Sequence, residues 1–286
     1  MMKRFSITAI ISFALLLIIS ACSSDENDKQ PKTTDDGKQV ITVALSDEVN
    51  PPFLYTDDKN NPIGFDMDYL IEVEKRLSDY KFEYVFGEEE ANLVGVDTGK
   101  YTFAINWFFK NPEREKKFLY PEHEYGYSLT ALVVHKDRND IRSLEDMVGK
   151  KLAPMAPSGG LRTILNGYNA KNPDKKIDIE TIEFPSNADN LKGVAEGRYD
   201  AVFINVTTFN EIQKELNLDL KVGGIVSKEP VYVVFNKNET ELAKKFDEIT
   251  TELIEDGTLP KLAEKGFGVN FFEDLDYIQR EGFQYE

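Results

Sequence analysis

Apolar positions follow two different spacings along the chain after residue 40. Runs of β-branched and aromatic residues predict strands, because these side chains pack well on a pleated surface. Between the runs, apolar residues recur every three or four positions, which predicts amphipathic helices. The predicted strands are 40–45, 82–86, 102–105, 129–134, 151–154, 177–184, 199–204 and 231–235. The predicted helices are 66–77, a stretch through 93 and 96, 161–168, 187–196, 239–255 and 259–266.

Strand and helix patterns alternate in two successive sets. Such alternation predicts an α/β fold with a mostly parallel sheet and helices on its faces. Two apolar strands, 129–134 and 231–235, join the sets, so we expect two lobes connected by two strand crossovers. The first lobe comprises 40–128 and 236–286, and the second comprises 129–235. Ligands favour the cleft between such lobes, near the carboxyl ends of parallel strands.

The first 22 residues have the layout of a secretory signal peptide. Lys3 and Arg4 form a basic start, residues 5–19 are almost entirely apolar, and small residues precede Cys22. The alternative is an uncleaved membrane anchor, but the apolar run is shorter than the roughly 20 residues that a spanning helix needs. The polar segment 23–39 has too few apolar residues to form a core, which predicts a disordered tether.

The junction before Cys22 resembles the bacterial lipobox. This resemblance implies a diacylglyceryl thioether on Cys22 and a lipid-anchored protein on the extracytoplasmic face of the cell membrane. Two acyl chains contribute about 0.8 kcal/mol per buried methylene, which is enough for stable anchoring. Cys22 is the only cysteine, so the folded part has no disulfide and must be stabilised by its core.

The chain is strongly acidic, with 51 Asp and Glu against 34 Lys and Arg and a formal net charge of −17. This charge argues against binding nucleic acid and against adsorption to anionic lipid head groups. The two histidines, His123 and His135, lack metal-ligand spacing, and no G-x-S-x-G or P-loop motif occurs. We therefore expect no metal, no cofactor and no enzyme activity.

Several short motifs follow one another in a fixed order after residue 40. They are PPF at 51–53, IGFDMD at 63–68, TGKY at 98–101, NPER at 111–114, SLEDMVGKKL at 143–152, EGRYDA at 196–201 and EDGTL at 255–259. Together they resemble the polar amino-acid family of ABC-transporter extracellular solute-binding proteins (bacterial solute-binding protein family 3). The stretch from 98 to 114 is most similar to the cystine-type branch of Gram-positive lipoproteins. The resemblance covers about Val40 to Gly268.

The resemblance implies a two-lobe, periplasmic-binding-protein-like fold of type II and a polar amino acid as ligand, with cystine as one candidate. It also implies lobes that close on the ligand, and a monomer that docks on an ABC permease in the membrane. Two other functions stay open: a sensory or adaptor module that binds a ligand without transport, and an enzyme on the same scaffold.

Arg114 is the leading site residue that the resemblance implies. In the family, the arginine of this motif binds the α-carboxylate of the ligand, for which a guanidinium offers a bidentate partner. The alternative interpretation is that Arg114 is a solvated charge on the surface. Asn106, Trp107 and Phe109 lie where the family's chain passes the ligand. Trp107 is either an aromatic wall for the ligand stem or part of the core.

Three further candidates surround the first loop. Asp47 and Phe53 frame this loop, and in the family an acid near Asp47 often contacts the distal part of the ligand. Glu89 lies where many members carry an apolar or aromatic lid residue. Asp47 and Glu89 together favour a ligand with a distal cation or dipole, or they are simply solvated acids.

In the second lobe, the segment 155–160 (MAPSGG) resembles the family's turn before a helix. Backbone N–H groups at a helix start attract anions, so Met155, Ser158 and Gly159 are candidates, with Ser158 and Gly159 meeting the carboxylate opposite Arg114. Asn205 falls where the family has an aspartate that binds the α-ammonium group, and an amide supplies no charge. Either affinity for α-amino acids is reduced, another acid such as Asp47 or Glu89 substitutes, or the ligand lacks an ammonium group.

Overall fold

The structure is a computed structural model and describes residues 32–281. The predicted signal peptide, Cys22 and the first part of the predicted tether lie outside this range. Residues 32–38, which the sequence assigns to the tether, form a turn beside the first strand. Thr34 N donates to Lys38 O at 2.9 Å and Val40 N donates to Lys32 O at 2.7 Å. These backbone partners explain why this part of the segment is ordered.

The described strands and helices follow most of the predicted order, with ends moved by a few residues. The strands are β1 (Gln39–Ser46), β2 (Tyr55–Thr56), β3 (Pro62–Ile63), β4 (Tyr80–Gly87), β5 (Phe103–Phe108), β6 (Gly126–His135), β7 (Val202–Asn205) and β8 (Leu220–Phe235). The helices are α1 (Phe65–Arg76), α2 (Glu89–Asp97), α3 (Pro112–Lys117), α4 (Gly160–Lys171), α5 (Asn187–Ala195), α6 (Val206–Leu216), α7 (Thr240–Glu255), α8 (Thr258–Phe267) and α9 (Leu275–Glu281).

A continuous ladder of strands, in the order β4-β1-β5-β8-β6-β7, runs through both lobes. β4, β1 and β5 are parallel, whereas β8 is antiparallel to β5 and β6, and β6 is antiparallel to β7. The prediction of a mostly parallel sheet is therefore correct for β4, β1 and β5 and wrong for the other three. β6 and β8 stay paired from Gly126 and Val231 to His135 and Leu220, so two neighbouring strands carry the chain between the lobes.

One cluster of buried side chains fills the first lobe and reaches Ala131, Val206 and Ile225 in the second, and two further clusters fill the second lobe. In the first lobe, α1, α7 and α8 pack on one face of the sheet, and α2 packs on the other. In the second lobe, α4 packs on one side of β6 and β7, and α5 and α6 pack on the other. These helices pack apolar side chains against the sheet, which fixes the strand ends that hold the site.

Two predicted strands of the second lobe are reduced to isolated bridges. In place of 151–154 and 177–184, the chain makes single parallel bridges between Leu152 and Ala201 and between Met155 and Thr181. Pro154 has no N–H with which to extend a ladder. Arg162 also donates to the carbonyl oxygens of residues 155 and 156, so that Met155 O accepts both from this side chain and from Ile182 N of the facing segment at 3.2 Å.

Three helices, α3, α6 and α9, are absent from the prediction. α3 has six residues and buries none of them, so no apolar stripe marks it in the sequence. α6 has apolar residues Val206, Phe209, Ile212 and Leu216 at helical spacing, a period that the prediction overlooked. Between residues 32 and 281, no helix has the length and the apolar character needed to cross a membrane.

The segment after α8 packs over the crossover strands. Phe271 is 1% exposed, and the Phe272 ring lies 5.8 Å from the ring of Tyr127 on β6. Lys228 Nζ on β8 donates to Glu273 O at 2.8 Å. The segment therefore ties the end of the first lobe to the strands that lead into the second.

Candidate ligand-binding site

The carboxyl ends of β1, β4 and β5 meet at one edge of the first-lobe sheet, because these strands are parallel. β1 and β4 end in register at Ser46 and Gly87, and Asp47 N donates to Gly87 O at 3.2 Å. The Asn92 side chain ties these ends together by donating to the carbonyls of Leu45 and Gly87, each at 2.8 Å. Asp47, with an exposed side chain, thus stands at this edge.

Arg114 is held at the same edge by α3. Asn111 caps this helix, its Oδ1 accepting from Arg114 N at 2.9 Å, and Pro112 occupies the first turn. Both residue types are favoured at helix starts. The Arg114 guanidinium lies 5.2 Å from the Phe108 ring centroid, and its side chain is 27% exposed. Phe109, between β5 and α3, has an exposed ring.

Glu89 joins two of the predicted residues into one group. It is the first residue of α2, where the helix dipole favours a carboxylate. Its Oε1 accepts from Arg114 Nη2 at 2.9 Å, and its Oε2 accepts from Asn106 Nδ2 at 2.9 Å. We call this group the Asn106–Glu89–Arg114 cluster. It places an amide, an anion and a cation within hydrogen-bond distance at the edge of the first-lobe sheet.

Trp107 and Phe53 pack into an aromatic cluster of the first lobe. Trp107 has a φ of 55° at the irregularity of β5, a conformation that is uncommon for a bulky residue. Its ring lies 4.5 Å from Phe53 and 5.2 Å from Phe267. These contacts place the Trp107 ring against the first-lobe core, and its role as a wall for the ligand stem stays a prediction. Phe53 lies in the same cluster, also 5.2 Å from Phe267.

Asp66 lies buried beside these rings. Its Oδ1 accepts from Trp107 Nε1 at 3.0 Å and from the Tyr125 hydroxyl at 3.1 Å. Loss of hydration outweighs these bonds and raises the pKa of Asp66 to about 7. Gly64, just before α1, has a φ of 118°, and a Cβ there would lie 2.4 Å from Phe53 O. Only glycine fits where the chain turns into this helix.

The second-lobe turn offers main-chain groups. The Met155 side chain is buried in the core. Its N–H donates to Glu180 O at 3.1 Å, and its carbonyl oxygen accepts from Ile182 N and from Arg162, so its main chain holds the turn together. Ser158 is exposed. Gly159 has a φ of 102° and caps α4 without a side chain. The turn therefore presents the start of α4 with no side chain covering the glycine.

Arg162, in the first turn of α4, fixes this second-lobe turn. Its guanidinium donates to Ala156 O at 2.8 Å and to Met155 O and Thr181 Oγ1, both at 3.1 Å. These bonds join the two strand ends of the Met155–Thr181 bridge. The sequence carries no signal for this role, because Arg162 looks like any solvated arginine on a helix.

Asn205 caps α6 and uses its side chain locally. Its Oδ1 accepts from Thr207 N at 2.9 Å, and its Nδ2 donates to Ser128 Oγ at 2.7 Å. The position lies at the end of β7, next to the crossover strand β6. The amide therefore stabilises a helix start and supplies no negative charge to a ligand.

Polar groups at strand and helix ends on two lobes, joined by paired strands, suit a protein that binds a small ligand between its lobes. Residues 41–269 match the family model of bacterial extracellular solute-binding proteins, family 3. The chain belongs to this family. The resemblance seen in the sequence motifs is thereby confirmed, and the match spans all the first- and second-lobe candidates from Asp47 to Asn205.

Two relatives of this family 3 protein match over nearly their whole lengths. The L-cystine-binding protein TcyK of Bacillus subtilis (strain 168) is 31% identical over 278 residues, covering 96% of this chain and 99% of the relative. The probable amino-acid-binding protein YxeM of the same organism is 32% identical over 282 residues, covering 98% and 100%. Both relatives are named as binding proteins, not as enzymes.

A solved structure supports the same fold. The crystal structure of the probable amino-acid ABC transporter extracellular-binding protein ytmK from Bacillus subtilis has a TM-score of 0.67 and 28% identity, and the alignment covers 80% of this chain and 97% of that one. The type II fold predicted for a family 3 solute-binding protein is thus confirmed. In the part of the chain that the structure describes, no group of three or more His, Cys, Asp or Glu side chains could hold a metal ion.

Proposed function

We propose that the protein is the lipid-anchored, extracytoplasmic solute-binding component of an ABC importer and that it binds a polar amino acid such as cystine. The observation that carries this proposal is the Arg114 guanidinium, which is fixed by α3 yet partly exposed at the carboxyl edge of the first-lobe sheet. The relative named as L-cystine-binding supports the ligand class. The predicted signal peptide and Cys22 supply the anchor.

Capture uses groups from both lobes. Arg114 binds the α-carboxylate through charge-assisted hydrogen bonds, each contributing about 1.5–3 kcal/mol. Main-chain N–H groups at Ser158 and Gly159, at the start of α4, meet the same carboxylate from the second lobe. The lobes close by bending at β6 and β8, and the closed monomer docks on its permease.

The test compares Arg114→Ala with the wild type in a thermal-shift panel of amino acids that includes L-cystine. We expect the wild type to gain melting temperature with its ligand and Arg114→Ala to show no gain. Without ligand, the two should melt within a few degrees of each other, because a partly exposed ion pair contributes about 0–1 kcal/mol.

Arg198→Ala is the matched control. Arg198 lies on the second lobe and pairs with Glu196 in an exposed ion pair, so its loss should leave the ligand-induced shift unchanged. An Arg114→Ala protein that keeps the full shift would remove Arg114 from the site. An amino acid recovered chemically altered after incubation would favour an enzyme over a binding protein.

A further inference from the structure

The Asn106–Glu89–Arg114 cluster has no net charge before a ligand arrives. Glu89 Oε1 lies 2.9 Å from Arg114 Nη2, so a carboxylate already occupies part of the guanidinium proposed to capture a ligand carboxylate. A ligand that carries only negative charge meets one attractive and one repulsive group here. A ligand with both charges meets a partner for each.

The Glu89 carboxylate can accept a further hydrogen bond, and it is exposed enough for a ligand to reach it. Its two oxygens each accept one hydrogen bond, whereas an ionised carboxylate has about four lone-pair positions. Its side chain is 42% exposed. The bonds from Asn106 and Arg114 hold the carboxylate in place, so it loses little further freedom when a ligand binds.

The spacing of the charges matches the head group of an α-amino acid. In such a molecule, a single carbon separates the ammonium nitrogen from the carboxylate. In the cluster, the guanidinium and the carboxylate are direct neighbours. A zwitterionic ligand can align antiparallel to this ion pair. Its carboxylate then contacts Arg114 and its ammonium group contacts Glu89, so that each charge lies beside an opposite charge.

Asn205 does not supply the negative charge, because its amide is neutral and engaged with Thr207 and Ser128. We propose that Glu89 accepts the ligand's α-ammonium group and makes the site selective for zwitterionic α-amino acids over the corresponding acids. This inference rests on the proposed function, because it takes Arg114 as the carboxylate partner.

The test measures affinity by titration calorimetry for two probes, with Glu89→Gln beside the wild type. The probes are L-cystine and dithiodipropionic acid, which is the same disulfide diacid without the two amino groups. We expect the wild type to prefer L-cystine. Glu89→Gln should lose about 10- to 100-fold in affinity for L-cystine, the range of a hydrogen bond to a charged group, and nothing for the diacid.

Glu90→Gln serves as the control, because it removes the same charge one residue later from an exposed side chain on the same helix. It should bind both probes as the wild type does. If Glu89→Gln keeps wild-type affinity for L-cystine, or loses both probes equally, the ammonium role is wrong and Glu89 is only an ion-pair partner or competitor of Arg114.

Failure of the proposed function gives a different result. If the wild type binds no amino acid of the panel, both proposals fall. If it binds another amino acid instead of L-cystine, the same comparison is made with that amino acid and its deaminated acid. Equal melting temperatures of unliganded Glu89→Gln and wild type would show that any loss of affinity is not a loss of fold.

Discussion

Asp66 is a buried acid whose proton state couples to folding. Its pKa is raised from 3.8 to about 7 by burial. Between these pH values the folded protein keeps a proton that the unfolded chain has released. Unfolding therefore releases a proton, and the contribution of Asp66 to stability falls as pH rises from about 4 to about 7. One pKa unit corresponds to about 1.4 kcal/mol.

Asp66→Asn should remove this dependence. The amide oxygen can still accept from Trp107 and Tyr125, and it does not ionise. We expect the unfolding free energy of Asp66→Asn minus that of the wild type to increase as pH rises from 4 to 7, by up to about 4 kcal/mol, because only the wild type loses stability. Urea denaturation at several pH values measures it.

Asp68→Asn is the control for this measurement, because Asp68 lies on the same helix and pairs with Lys265 at 2.7 Å near the surface. Its difference from the wild type should vary less with pH than that of Asp66→Asn. A constant difference between Asp66→Asn and wild type across this range would mean that Asp66 is ionised in the folded protein at every pH tested.

Only some of the individual residues of the candidate site could be predicted from the sequence. Arg114 and Asp47 could be named as candidates because the segments around them resemble those of the family. The Glu89–Arg114 pair was not predictable, because the two residues are 25 positions apart and meet only when α2 and α3 pack at the same sheet edge. The inward direction of Trp107 depends on one positive φ value, which no periodicity reveals.

Among the elements, α3 is the one that depends most on its cap. It has six residues, none of them buried, so burial of apolar surface contributes little to its stability. Asn111→Ala removes the acceptor for Arg114 N, which should cost about 1 kcal/mol locally. Because Arg114 sits in this first turn, we expect about fivefold weaker ligand binding by calorimetry.

Asn111→Ser is the control for loss of the capping hydrogen bond, because serine is also a favoured cap residue. It should bind ligand nearly as the wild type does. Equal losses in the alanine and serine variants would mean that the cap does not position Arg114.

The helices that bury the most residues were predicted with accurate ends. α1 and α7 each bury six residues, and their predicted ends lie within one residue of those observed. α3 and α6 bury none and two, and they were missed. The prediction of strands in the second lobe was wrong for another reason. The β-forming residues at 177–184 meet a bridge partner at one position only. Tertiary context decides such cases.

For the whole molecule, the segment after α8 is a structural link between the lobes. Phe271 packs against Trp107 and Phe267 at ring distances of 5.9 and 5.2 Å. Phe271→Ala leaves a cavity at this junction and should lower the unfolding free energy by about 3–5 kcal/mol in chemical denaturation.

Phe184→Ala is the matched control, because this ring is 87% exposed and its loss should change stability by no more than about 0.5 kcal/mol. If both variants are equally stable, the C-terminal segment does not contribute to the folded core.

The first lobe is split along the chain, and this sets the order in which the protein can be completed as it is made. The end of β8 completes the first-lobe sheet beside β5, and α7 and α8, which complete the first-lobe core, follow the second lobe in the sequence. β1, β4 and β5 therefore leave the ribosome long before their partners, whereas residues 126–235 form one uninterrupted stretch. A nascent chain stopped just after β8 would carry a finished second lobe and a first lobe still waiting for its last helices.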